Sequence, residues 1–186
     1  MPIIGAVASS ALRISNSYDS IQTVYVSSGT LASVNFTDIP ATYKHLQIRG
    51  IGRVNRAGYV QNGCQMRFNG DTASNYSFHQ MYNTNGSSSG SEGYQDTTYA
   101  NLGELPSANA PAGVFGTVLL DILDYANTNK YKVVREYGMN VRSSGSGQQG
   151  VNSGMWRNTN AITSISLSEP GSSWVQYTHF ALYGIK

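Results

Sequence analysis

The sequence predicts an all-β protein: a single β-sandwich, jelly-roll-like, with a short N-terminal arm and long Ser/Gly-rich loops. An immunoglobulin-like sandwich is the second topology. The first observation is composition, since 24 Ser, 13 Thr, 16 Asn and 20 Gly make up 73 of the 186 residues, beside 13 Tyr and 5 Pro. These residue types favour strands and turns over helices. The second is polar/apolar alternation along short segments, and the third is the turn signals that separate them.

Ten segments have the period-two pattern of β-strands. In one of them, Leu46 and Ile48 share one face while His45, Gln47 and Arg49 share the other. The predicted strands are Ile21–Ser27, Leu31–Phe36, His45–Ile51, Tyr59–Phe68, Tyr76–Tyr82, Thr97–Leu102, Val114–Tyr125, Tyr131–Val141, Ala161–Ser168 and Trp174–Tyr183. In the seventh segment, Val114–Tyr125, both the even-numbered and the odd-numbered positions are mainly apolar. This pattern predicts a central strand buried on both faces.

Turn signals separate these segments. Asn69-Gly70 readily supplies the positive φ angles of a type I′ turn, which predicts a hairpin. Asp124–Lys130 and Pro170-Gly171 are two further predicted turns. Asn83–Gly93 and Ser143–Gly154 are rich in Ser and Gly. We expect them to be long surface loops rather than interdomain linkers, because neither flank alone has enough strands for a sandwich.

Charge is sparse and nearly balanced, with 12 Lys and Arg against 10 Asp and Glu. Nucleic-acid-reading modules normally carry clustered basic residues, and none is visible in the sequence. No run of 18 apolar residues occurs, so a transmembrane helix is not expected. The sequence therefore predicts neither a nucleic-acid nor a membrane partner.

No constellation of catalytic residues stands out. Cys64 is the only cysteine, and its alternating surroundings indicate a small core or interface residue. Gly145–Gly150 matches G-x-G-x-x-G but is not followed by a helix-forming segment. Asp121 and Asp124 would point to opposite faces of a strand, and the three histidines lack metal-site spacing. We therefore predict no enzyme, no cofactor and no metal site.

The N-terminus is apolar and composed of small residues, and its first basic residue is Arg13. A secretory signal peptide begins with basic residues, so we expect an arm instead. An exposed apolar arm on a free monomer would be a liability, which favours docking on a neighbouring subunit. The predicted organisation is an arm over 1–20 and a sandwich domain over 21–186. The predicted capsid or subunit contacts are Ile3, Ile4, Val7, Leu12 and Arg13.

A second set of candidate contact residues lies near the first Ser/Gly-rich segment and after the third predicted strand. Tyr94 and Tyr99 flank that segment, and such aromatic rings can stack on sugars. Arg53 and Arg56 could bind a phosphate or a glycan carboxylate, although pairing with Asp or Glu at a subunit interface is the favoured interpretation. We expect Tyr76 and its even-numbered neighbours to face the core.

Three stretches resemble small virion structural proteins of tailed bacteriophages: Ile39–Gly50, Met66–Tyr76 and Phe180–Lys186. The resemblance implies a β-rich structural protein of a phage particle, found in the virion after assembly in the host cytoplasm. Such proteins include capsid decoration (cement) proteins and tail-fibre or receptor-binding modules. The short length and the lack of a coiled-coil or fibrous stretch favour a decoration protein that binds the outer shell and stabilises contacts between major capsid subunits. We expect a homotrimer whose partners are the major capsid protein or other virion proteins. The alternative is a tail-fibre or receptor-binding protein that contacts host surface glycans.

Overall fold

A computed structural model of the protein describes residues 17–85, 88–143 and 146–186. These residues form fourteen strands: β1 Tyr18–Tyr25, β2 Thr30–Leu31, β3 Ser33–Phe36, β4 His45–Gly52, β5 Gln61–Phe68, β6 Tyr76–Thr84, β7 Ser88–Thr97, β8 Ala100–Pro106, β9 Gly116–Leu123, β10 Lys132–Ser143, β11 Ser146–Trp156, β12 Ile165–Ser168, β13 Trp174–Val175 and β14 His179–Ile185. Within the same described ranges, no helix is long and apolar enough to cross a membrane.

Two antiparallel sheets of unequal width pack together. The wider sheet has eight strands in the order β1-β14-β4-β9-β10-β11-β6-β7, and the narrower has four in the order β3-β12-β5-β8. A two-stranded ribbon, β13-β2, completes the described part of the fold. Strand β7 is exposed along most of its length, so the β6–β7 end of the wide sheet extends past the narrow one. The predicted all-β sandwich is confirmed.

Large aromatic side chains fill the space between the sheets. The centroid of the Trp156 ring lies 5.5 Å from the Phe68 ring centroid and 6.2 Å from the Tyr76 ring centroid. All three are buried, so the prediction that Tyr76 faces the core is confirmed. A Cβ added at Gly50 would overlap the ring of Phe180, so this close approach requires glycine.

Cys64 lies fully buried on β5, as expected for a core residue. Burial raises the pKa of its thiol well above the ordinary value, and the nearby Glu169, Glu104 and Glu136 raise it further. The thiol is therefore neutral and unreactive in the folded protein.

The Asn69-Gly70 turn does not make the predicted hairpin. Both residues have positive φ, 53° and 67°, as the dipeptide favours. However, β5 belongs to the narrow sheet and β6 to the wide one, so the turn carries the chain from one sheet to the other. The Asn69 side-chain oxygen accepts hydrogen bonds from the backbone of Thr163 (2.8 Å) and Ser164 (3.1 Å), which fixes this corner. The dipeptide determined the local backbone but not the strand pairing.

The described residues of the two Ser/Gly-rich segments lie mostly in strands rather than in long loops. The first contributes most of β7, and the second most of β11. Strand β11 is an interior strand, paired with β10 on one side and β6 on the other. Strand formation here comes from backbone ladders to two neighbours, which outweigh weak intrinsic propensity. A Cβ added at Gly147 would lie 2.7 Å from the Asn140 carbonyl oxygen, so glycine also permits close packing of the hairpin.

Strand β9 is central, as predicted, but it is not buried on both faces. Val118, Leu120 and Ile122 face the core. Leu119, on the opposite face, is 39% exposed. The outer face of the wide sheet therefore carries apolar side chains that nothing in the described chain covers.

Candidate binding face of the eight-stranded sheet

Exposed apolar side chains form a continuous patch on the outer face of the wide sheet. Leu119, Tyr137, Val151 and Met81 are successive cross-strand partners on β9, β10, β11 and β6. They are 39%, 49%, 44% and 68% exposed. The patch, called the apolar face below, consists of Ile51, Met81, Leu119, Tyr137, Met139 and Val151. An open groove of about 550 Å³ runs over most of it.

Strand β10 has its polarity reversed relative to an ordinary sandwich strand. Its outward positions include Val133, Tyr137 and Met139, all exposed. Its inward positions include Lys132, Glu136 and Asn140, all buried, with Val134 as the apolar residue among them, and Arg135 is the charged residue on the outward side. An isolated sandwich normally places the apolar side of a strand against its core. The reversal therefore makes the outward side of β10 a candidate binding surface.

Of the charged groups beside the apolar face, Asp121 is paired with Arg135, whereas Arg49 packs on aromatic rings. The Asp121 carboxylate accepts hydrogen bonds from Gln47 Nε2 and Arg135 Nη2, both at 2.7 Å. The Arg49 guanidinium lies over the rings of Tyr18 and Tyr183, 4.9 and 5.1 Å from their centroids. A partner that covers the apolar face would therefore meet the Arg49 cation at its edge, beside the paired Asp121 and Arg135.

The predicted arm contacts lie outside the described residues. This applies to Ile3, Ile4, Val7, Leu12 and Arg13. The described chain begins just before β1, which is an edge strand of the wide sheet. Residues 18–20 of the predicted arm belong to this strand.

The structure brings Tyr94 and Tyr99 together around one ring. The Phe78 ring lies 5.0 Å from that of Tyr94 and 5.9 Å from that of Tyr99. The Tyr94 hydroxyl donates to the Glu92 carboxylate (2.9 Å), and this hydrogen bond raises the pKa of Tyr94. The cluster lies at the β6–β7 end of the wide sheet, beyond the cover of the narrow one. Sugar contact at these rings stays a prediction.

The Arg53 side chain makes four hydrogen bonds within its own chain. Its guanidinium donates to the carbonyls of Ala108, Ala110, Pro111 and Val114 at 2.6–3.4 Å. These bonds fix the loop between β8 and β9. The predicted role of Arg53 in partner contact remains a prediction.

Arg56 also bonds within the chain. It donates to the Pro170 carbonyl and, at 3.4 Å, to the buried Glu169 carboxylate, while its guanidinium lies over the Tyr59 ring. Pairing with an acidic residue therefore occurs inside one chain. Contact of Arg56 with a partner or glycan stays a prediction.

The acidic pair considered from the sequence is divided between two environments. Asp121 lies within β9 on the outer face, while Asp124 lies in the following turn and pairs with Lys130. Among residues 17–85, 88–143 and 146–186, no group of three His, Cys, Asp or Glu side chains is arranged to hold a metal ion.

The apolar face was not predicted from the sequence, although its signal is present. The predicted strand Tyr131–Val141 has apolar residues on one side and Lys132, Glu136 and Asn140 on the other. Alternation alone assigns the apolar side to the core. Only the structure shows that this side faces outward.

Comparison with protein-family models, with curated proteins and with solved structures returned no match. The site is therefore interpreted from its geometry.

Proposed function

We propose that the protein is a virion structural subunit, a capsid decoration protein whose apolar face docks on neighbouring proteins of a phage shell. The observation that carries the proposal is the reversed polarity of β10, which presents Tyr137 and Met139 to the outside. Its partners are the major capsid protein and further copies of itself, assembled as a homotrimer in the host cytoplasm. The sequence resemblance to small phage virion proteins supports the same assignment.

The physical chemistry of the apolar face suits permanent attachment. Fully burying an exposed Leu, Val or Met side chain contributes about 1.5–3 kcal/mol, and covering side chains that are already about half buried contributes roughly half of that. Several such side chains offset the entropy lost on association, which is a cost of at least about 4 kcal/mol. Copies repeated over a shell would add avidity to each contact. Bound across a boundary between capsid subunits, the protein would raise the free energy needed to separate them.

A charge placed on the apolar face tests the proposal. We expect Met139→Glu to weaken binding to particles that lack the protein by about 10- to 100-fold, because the interface would have to bury an unpaired carboxylate. Both Met139 and the control position Ser91 are exposed on the outer face, so neither Met139→Glu nor Ser91→Glu should disturb folding. Ser91 is the cross-strand partner of Met81 but lies on the edge strand β7, outside the apolar face.

Co-sedimentation with particles gives the affinity, and thermal melts confirm folding. Unchanged binding of Met139→Glu, or an equal loss for Ser91→Glu, would remove the apolar face from the proposal. Quantitative mass spectrometry of purified particles should find many copies. A handful of copies at the tail would reject decoration as the role.

The second candidate is a tail-associated receptor-binding protein, favoured by the Phe78, Tyr94 and Tyr99 cluster beside the Glu92 carboxylate. The Tyr94 ring is exposed, Tyr99 is partly buried and Phe78 is buried beneath them, so a sugar could stack on Tyr94 next to a hydrogen-bond acceptor. This role predicts saturable binding of the protein to host cells. Tyr94→Ala should weaken that binding, while Met139→Glu should leave it intact. Absence of cell binding by the wild type would exclude this role.

A further inference from the structure

A small polar cavity lies between the two sheets beneath β10 and β11. It has a volume of about 20 Å³, enough for one water molecule or one small ion. Strand β8 of the narrow sheet forms one wall, and strands of the wide sheet form the others. The polar side chains that line it are Gln80, Glu104, Glu136, Asn140, Gln148 and Asn152.

The orientation of the amide groups leaves oxygen atoms unsatisfied at this cavity. Asn152 Nδ2 donates to Glu136 Oε2, and Asn140 Nδ2 donates to the Glu104 carbonyl at 3.1 Å. Turning either amide would place oxygen against oxygen, so both orientations are fixed. Glu136 Oε1 and Asn140 Oδ1 remain buried without a hydrogen-bond partner. The cavity therefore has an excess of acceptors.

Two glycine residues, Gly103 and Gly138, leave room for the unpartnered Glu136 Oε1 because they have no side chain. A Cβ added at Gly138 would lie 2.5 Å from Glu136 Oε1, and one at Gly103, whose φ is +81°, would lie 2.9 Å from it. The Glu136 carboxylate thus occupies a position that larger residues on β8 or β10 would close. Glu136 and Asn140 are 1% and 4% exposed, respectively.

The negative charge of Glu136 distinguishes between a water molecule and a cation as the occupant of this cavity. Glu136 makes no ion pair with the Lys, Arg and His side chains of the described chain, and its burial is nearly complete. A second acidic residue, Glu104, lines the same cavity, and its carboxylate also accepts a hydrogen bond from Gln61 Nε2. A water molecule would satisfy the free oxygens but leave the carboxylate charge in a low dielectric. Carboxylate and amide oxygens are the ligands that hard divalent cations prefer.

We propose that this cavity binds one hard divalent cation, of the Ca²⁺ class, through oxygens of Glu136, Glu104 and Asn140. The ion would link β8 of the narrow sheet to β10 of the wide sheet, directly beneath the apolar face. Two carboxyl groups and amide oxygens would form the ligand set. The site would stabilise the sandwich independently of what the apolar face binds.

The test measures the effect of cations on the full chain after treatment with a chelator. At pH 7.5, calorimetric titration with CaCl₂ should give one saturable site, and excess Ca²⁺ should raise Tm. At about 100 times Kd, the expected rise is about 5–10 °C. Glu136→Gln keeps the shape of the side chain and should abolish both effects. The control Glu92→Gln, at an exposed carboxylate, should preserve both.

Each outcome decides the proposal. If neither Ca²⁺, Mg²⁺ nor Mn²⁺ binds or raises Tm, the proposal is wrong. An equal response in Glu136→Gln would place the ion elsewhere and also overturn it. If the wild type ignores cations but loses stability as the pH rises towards 8, a proton rather than a cation neutralises Glu136. Should Glu136→Gln fail to fold, Glu104→Gln provides the same comparison.

Discussion

Replacing Glu136 with Gln is expected to change how the stability of the cation-free protein depends on pH. Burial raises the pKa of Glu136 from its ordinary value of 4.5 to about 8, although the hydrogen bond from Asn152 lowers it. The folded protein therefore binds more protons than the unfolded chain between these two pH values. Stability contributed by the protonated group is complete below pH 4.5 and falls as the pH rises to about 8.

The magnitude follows from the two pKa values. They differ by about 3.5, and each pKa unit corresponds to about 1.36 kcal/mol, which sets a ceiling of about 5 kcal/mol. Glu136→Gln removes the ionisable group and offers an amide N–H to a cavity rich in acceptors. We expect the variant to match the wild type at pH 4.5 and to exceed its free energy of unfolding by about 3–5 kcal/mol at pH 9.

Urea unfolding followed by circular dichroism at pH 4.5, 7 and 9, with chelator present, measures this difference. Glu104 on β8 and Tyr82 on β6 line the same cavity as Glu136, and Cys64 on β5 is electrostatically coupled to Glu136. The raised pKa of Cys64 keeps its thiol neutral across this range. Glu92→Gln controls for the loss of a carboxylate elsewhere. A stability difference that does not grow with pH would refute the assignment of a raised pKa to Glu136.

Two further predictions concern stability. Gly50→Ala should lower the free energy of unfolding by about 1–3 kcal/mol, because its Cβ would overlap the Phe180 ring; urea midpoints equal to wild type would contradict this packing. Lys132→Met should lower the free energy of unfolding by about 2–4 kcal/mol, because the buried Nζ donates to three backbone carbonyls at 2.7–3.1 Å. The control Lys130→Met, at an exposed position, should change stability little. Thermal melts of the two variants provide the comparison.

The fold class was predictable because alternation and turn signals are local properties of the sequence. His45–Ile51 and Tyr76–Tyr82 were each found within a strand, and the turn at Asp124–Lys130 joins β9 to β10. The pairing of strands was harder to predict from the sequence. Asn69-Gly70 has the backbone of a tight turn, yet it connects strands that belong to different sheets. Local conformation does not specify which strands become neighbours.

The candidate site depended on information that alternation does not contain. Strand β10 has a mainly apolar side, with Tyr137 and Met139, and a more polar side, with Glu136 and Asn140. Polarity predicts that the apolar side faces the core, but in the structure the polar side does. The assignment reverses when a strand's apolar side serves an intermolecular contact. The Ser/Gly-rich β11 was missed because its strand conformation comes from its two neighbours rather than from its own residues.

The single thiol gives the protein a built-in reporter of conformational opening. Cys64 is fully buried and the only cysteine in the chain, so an alkylating reagent can react only when the sandwich separates. The rate of labelling, followed by intact mass, would count such openings without any engineered probe. If the protein decorates particles as proposed, comparing the labelling rate on assembled particles with that of the free protein would show how far attachment slows these openings.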